Sequence, residues 1–194
     1  MTGRAALIIS YVFNPMTNPA LVFPILLGAN QNLAAGKSAL ILAAAVFFAS
    51  IVPTWHVIRL KHKGRIATID VDDKSKRIRP LAVGVISYLI GYLLLARMQA
   101  PSLVTGLMFC YVTNTVLVLF MTRWWKVSIH ATGVSGPLVA LSYQFGYIIA
   151  PFYILIPIVG AARVVLGKHT IAQVIIGVLV GTGMTALQLK YLFL

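Results

Sequence analysis

Apolar residues run along this chain in long unbroken stretches, separated by short polar or proline-containing segments. The stretches lie at about 5–28, 38–58, 81–96, 102–122, 131–149, 151–165 and 171–193. A helix needs roughly 20 mostly apolar residues to cross a bilayer. The pattern therefore predicts an all-α, polytopic transmembrane bundle of six or seven spans. The first stretch is interrupted by Asn14-Pro15 and Asn18-Pro19, which predicts a kinked or broken span, and the sixth is short and proline-bounded. A polar loop at about 59–80 separates the second and third spans, and the basic, aromatic turn Arg123-Trp124-Trp125-Lys126 separates the fourth and fifth. Spans this closely spaced predict a single integral membrane domain over 1–194. The apolar start is too long and too interrupted for a cleaved signal peptide.

Composition strengthens this picture. Charged residues make up 10% of the chain and hydrophobic residues 60%, against about 25% charged in a soluble domain. The charge is lopsided, at +13. Threading the chain through seven spans puts Arg4, Arg59, Lys61, Lys63, Arg65, Lys74, Lys76, Arg77, Arg79, Arg123, Lys126, Arg163 and Lys168 on one side. Only Lys37, Arg97 and Lys190 fall on the other. Short loops rich in Lys and Arg face the cytoplasm, so the expectation is a multi-pass protein of the cell membrane with its N-terminus and long loop cytoplasmic. The basic excess reads as a topology signal and a contact for anionic lipids, not as a nucleic-acid surface. There is no glutamate, and the three carboxylates, Asp70, Asp72 and Asp73, all sit in the long loop. Chemistry that needs two well-separated carboxylates, as in glycosidases, is excluded. The single cysteine, Cys110, precludes an internal disulfide and has no metal-ligand spacing.

Polar residues at span ends are the functional candidates in such a chain, and three clusters stand out. The first, 72–80, contains Lys74, Arg77 and Arg79-Pro80 and precedes span three. The second, 126–130, contains Ser128 and His130 and precedes span five. The third runs from Arg163 through Lys168 and His169 to Gln173, leading into span seven. Two spans lie between each successive pair, so all three clusters emerge on one side and can meet. Arg79 and Arg163 offer permanently charged forks suited to phosphate oxygens, and Ser128 offers a hydroxyl. His130 and His169 are imidazoles that titrate near neutrality. Gln173 lies four residues after His169, on the same helical face, where its amide oxygen can accept the ring N–H. Two imidazoles with arginines suit phosphoryl transfer, one attacking phosphorus and the other protonating the departing oxygen. No metal or other cofactor is required.

The same residues resemble the three signatures of the type-2 phosphatidic acid phosphatase superfamily, integral membrane lipid phosphatases related to vanadium haloperoxidases. Arg79-Pro80 matches the end of the first signature, Ser128 and His130 match two of four positions in the second, and Arg163, five residues, then His169 match the core of the third. The resemblance covers about 72–177. It implies that His169 is a nucleophile forming a phosphohistidine and that His130 is the general acid. It also implies that Arg79 and Arg163 clamp the phosphate with help from Ser128. The implied substrate is a lipid phosphomonoester or diphosphate, of polyprenyl or glycerolipid type. The chain departs from the pattern at Asp72, where the family has lysine and Lys74, Lys76 or Arg77 would substitute. It also departs at Val127 and Ile129, at Ala162, and at Gln173, where the family has an orienting aspartate. These departures resemble a divergent subfamily. Two other readings compete. Asp70-Val71-Asp72-Asp73 resembles the aspartate-rich loop of membrane prenyltransferases, which need a second acidic motif that is missing here. A non-catalytic lipid-binding or transport protein of the phosphatase fold is the other.

Overall fold

The computed structural model describes residues 1–30, 33–71 and 73–194, and no strand occurs among them. Five helical stretches are long and apolar enough to cross a membrane: Ala35–His62, Lys74–Arg97, Ser102–Thr122, Ile129–Val165 and Ile171–Leu192. In detail the helices are α1 (Gly3–Val12), α2 (Asn18–Gly28), α3 (Ala35–Val46), α4 (Val52–His62), α5 (Lys74–Arg97), α6 (Ser102–Thr122), α7 (Ile129–Phe145), α8 (Leu155–Val165), α9 (Ile171–Leu179) and α10 (Thr185–Leu192). A π turn at Phe47–Ile51 joins α3 to α4 ahead of Pro53, whose ring cannot donate to the helical ladder. A second π turn, Val180–Met184, joins α9 to α10.

The first predicted span is two short helices, α1 and α2. Asn14 holds the break: its Oδ1 accepts the Met16 N–H at 2.9 Å, and its carbonyl accepts the Thr17 hydroxyl at 3.1 Å. Asn18 Nδ2 then donates to the Gly133 carbonyl at 3.2 Å, tying α2 to α7. The stretch 129–165 also differs from a straight rod. Its 37 residues would reach about 55 Å as one helix, yet side chains near its two ends, His130 and Arg163, both touch Ser10. The chain turns at Gly146, whose φ of +65° suits only glycine. It then runs through a 3₁₀ segment, Gly146–Ile154, and returns as α8 against α7. The predicted fifth and sixth spans are the two arms of this hairpin.

The polar loop is shorter than the sequence suggests, because α5 begins at Lys74. Asp73 caps it, its Oδ1 accepting the Ser75 N–H at 2.9 Å. The buried stripe of α5 is Arg77, Leu81, Gly84, Ser87, Gly91 and Leu95, a single helical face. Asp72 lies outside the described residues.

Helices α7 and α9 pack through glycine. A Cβ at Gly177 would stand 2.5 Å from the Ser128 carbonyl, and one at Gly181 would stand 2.8 Å from the Thr132 carbonyl. This small-xxx-small pair lets two backbones touch, and the Ser128 N–H donates to the Gln173 carbonyl at 3.1 Å across the same seam. Gly177→Val forces the seam apart against backbone atoms that cannot yield. The expected cost is about 1–3 kcal/mol, measured as a lower melting temperature in detergent, whereas Gly3→Val, with nothing near its Cβ, should leave melting unchanged.

Candidate active site

The site is built around Arg163, which has no exposed surface. It stands near the end of α8, where Leu166 and Gly167 close the helix. Gly167 takes φ +65°, its N–H donates to the Val164 carbonyl at 2.9 Å, and the Lys168 N–H returns to the Arg163 carbonyl at 3.0 Å. This is the Schellman arrangement. The His169 N–H reaches the same carbonyl at 3.3 Å. The five-residue spacing between Arg163 and His169 is thus the length of one helix C-terminus, and it holds the His169 backbone against the Arg163 carbonyl.

Helix α9 starts directly after His169. Thr170 Oγ1 accepts the Gln173 N–H, and Gln173 Oε1 accepts the Thr170 N–H, both at 3.3 Å, closing a capping box. His169 Nδ1 lies 3.0 Å from the same Gln173 Oε1. The Thr170 N–H can only donate, so the atom it meets is the amide oxygen, and His169 Nδ1 must carry the hydrogen. In the neutral ring Nε2 is then left with its lone pair. That Nε2 is buried and has no hydrogen-bond partner. Burial, reinforced by the Arg77 charge and opposed by the Gln173 hydrogen bond, holds the His169 pKa below its ordinary value.

Arg163 is anchored along one edge. Its Nη1 donates to Asp70 Oδ2 at 2.6 Å and also to Ser10 Oγ. Its Nε and Nη2 are buried without partners. His130, one residue inside the start of α7 and 5% exposed, places Nε2 at 3.4 Å from Ser10 Oγ and 3.8 Å from Asp70 Oδ1. A cavity of about 100 Å³ opens beside His130 and Asp70, lined also by Asn14, Arg77, Tyr88 and Thr115.

Residues of the three clusters touch, Arg77 reaching the Val127 carbonyl and the Ser128 N–H the Gln173 carbonyl, but the membership differs from the expected one. Arg77, not Arg79, is the buried arginine of the first cluster: its Nε donates to the Val71 carbonyl at 2.7 Å and its Nη1 to the Val127 carbonyl at 3.2 Å. Arg79 is exposed and lies toward His56. Two residues on a helix are about 200° apart, so only one of the pair can face inward. Lys74 is exposed, with Nζ directed to the Trp124 carbonyl at 3.3 Å. Lys168 serves through its backbone, whose carbonyl accepts Lys126 Nζ at 3.0 Å. Ser128 is fully buried as the N-cap of α7, its Oγ accepting the Ala131 N–H at 3.4 Å. Ser10 and Asp70 also belong to the site, Asp70 reaching from the long loop to pair with Arg163. The available signal was scarcity: Asp70 is one of three carboxylates in the chain.

No protein-family model, no curated protein and no solved structure matches the chain. What the site can do follows from its own atoms. An unpartnered guanidinium edge and an unpartnered imidazole nitrogen, both buried, suit an oxyanion and its electrophilic centre. Removing the Gln173 amide frees the His169 ring to flip and leaves Nδ1 without its acceptor. Gln173→Leu should therefore release the ring from its single Nδ1–H tautomer, whereas Gln173→Glu, which keeps an acceptor oxygen, should hold it, and the ¹⁵N chemical shifts of the His169 ring in the two purified variants check this.

Proposed function

We propose that this chain is a metal-independent membrane phosphatase that hydrolyses the phosphomonoester or diphosphate of a lipid through a phosphohistidine at His169. The observation that carries the reading is the pair of buried, partnerless groups, His169 Nε2 and the Nε/Nη2 edge of Arg163. An isolated buried donor or lone pair is costly, and a phosphoryl group offers a partner of each kind, oxygens for the guanidinium edge and phosphorus for Nε2.

In the first step Nε2 attacks phosphorus, the P–O bond to the lipid breaks, and the departing oxygen takes the proton of His130. In the second, His130 removes a proton from water, whose oxygen attacks the phosphohistidine. Inorganic phosphate leaves and His169 is restored. Arg163 holds the equatorial oxygens throughout, and Arg77 adds positive charge behind them.

The lipid character of the substrate is supported by an apolar cleft of about 390 Å³ between α2 and α7, lined by Leu21, Ile25, Pro137, Phe145 and Phe152. Its upper end, at Asn18 and Gly133, lies one helical turn from His130. The basic excess at the site end supports a cytoplasmic orientation for it. A prenyltransferase is disfavoured because Asp70, part of the aspartate string it would use, is engaged by Arg163.

Purified protein in EDTA should release phosphate from at least one member of a panel of polyprenyl phosphates and diphosphates, phosphatidate and phosphatidylglycerophosphate. His169→Ala should abolish release. No release from any lipid, or equal release by the variant, overturns the phosphatase reading. Because burial and Arg77 depress the His169 pKa, the nucleophile stays neutral below the ordinary histidine value of about 6.5. The acid limb of kcat/KM should therefore fall below that pH, and a limb at or above it contradicts the assignment.

A further inference from the structure

We propose that Asp70 is a positioning residue for both ends of the reaction. It anchors one edge of Arg163 so that the other faces the phosphate, and it supplies the counter-charge to the imidazolium form of His130. The inference rests on the phosphatase reading and deepens it.

The geometry comes from one carboxylate with two neighbours. Oδ2 takes Arg163 Nη1 at 2.6 Å, and Oδ1 stands 3.8 Å from His130 Nε2. Ser10 Oγ touches the same two groups and completes the cluster. The groups facing His130 are therefore Ser10 from α1, Asp70 from the loop, Arg163 from α8, and His169 farther off. Asp70 is the one carboxylate in that set. The two histidines thus differ in their partners. His169 has the neutral amide of Gln173, which suits a ring that must attack with a lone pair. His130 has a carboxylate, which suits a ring that must carry and deliver a proton.

An alternative role for Asp70 is a displaceable stand-in, occupying the phosphate's place until substrate arrives. Two observations favour a fixed part. The Nε/Nη2 edge of Arg163 is buried and unpartnered, so its hydrogen bonds are left for an oxyanion while Nη1 keeps Asp70. The neighbouring residue is also clamped. Val71 holds a φ of +47°, rare for a β-branched residue. Its side chain is buried with Val57, Leu60 and Ile66, and its carbonyl accepts Arg77 Nε at 2.7 Å. Backbone strain of this kind persists where surrounding structure enforces it, and here it delivers the Asp70 carboxylate into the site.

The test uses full-length protein in detergent, wild type, Asp70→Asn and Asp70→Ala, with hexadecyl phosphate and 4-nitrophenyl phosphate as substrates. An alkoxide needs a proton to depart, whereas nitrophenolate does not. Asp70→Asn keeps an oxygen for Arg163 and removes only the charge. It should lower kcat for the alkyl ester about 100-fold and for the aryl ester far less, the retained aryl activity showing that the variant is folded. Asp70→Ala, which also frees Arg163, should depress both. Equal loss with both substrates in Asp70→Asn overturns the role toward His130. Unchanged or faster alkyl turnover with a lower KM makes Asp70 a displaceable stand-in and also overturns it. A wild type inactive on both esters, or a His169→Ala variant as active as wild type, removes the phosphatase reading and this inference with it.

Discussion

A guanidinium with no exposed surface is the constraint on which this site depends. Burying a cation costs several kcal/mol unless it is paired and hydrogen-bonded. Arg163 meets that cost with Asp70 and Ser10 on one edge, and with its place in the last turn of α8, where helix carbonyls favour positive charge. Each partner comes from a different part of the chain. Ser10 requires that α1 end at the site, which the Asn14 turn enforces. Asp70 requires the strained Val71 loop. His130 requires that α7 and α8 form a hairpin rather than a rod. The fold in this region can be read as the set of chain paths that bring neutralising groups to Arg163 while leaving its other edge buried and unpartnered.

That arrangement separates two imidazoles by environment. Both are buried. Their hydrogen-bond and charge partners distinguish them. Gln173 is part of a capping box, so the group that orients the His169 ring also starts α9. Asp70 Oδ1 lies 3.8 Å from His130 Nε2. In the proposed reaction the ring held by the amide is the nucleophile and the ring beside the carboxylate is the proton donor.

Much of this was legible in the chain. The apolar stretches gave the helices, and the break at Asn14-Pro15 was visible as a break. The Arg163–His169 spacing and the Gln173 contact to the His169 ring were both readable because they are local, fixed by a helix end and a helix start. What was not readable depends on where α5 begins and on contacts distant in sequence. With the span placed at 81, Arg79 looked like the inward arginine. With the helix starting at the Asp73 cap, the inward stripe starts at Arg77. Asp70 pairs with a residue 93 positions away, and Ser10 with residues 120 and 153 away, and no local pattern encodes such pairings.

The most direct test of the central claim is a trap for the covalent intermediate. Purified protein would be mixed with a ³²P-labelled lipid phosphate that it hydrolyses, quenched within milliseconds in alkaline detergent, and mapped by peptide mass spectrometry. The account predicts label that survives alkali, is lost in acid, sits on the His169 ring, and is absent from His169→Ala. Phosphate release without any protein-bound label, or label on another residue, would contradict it.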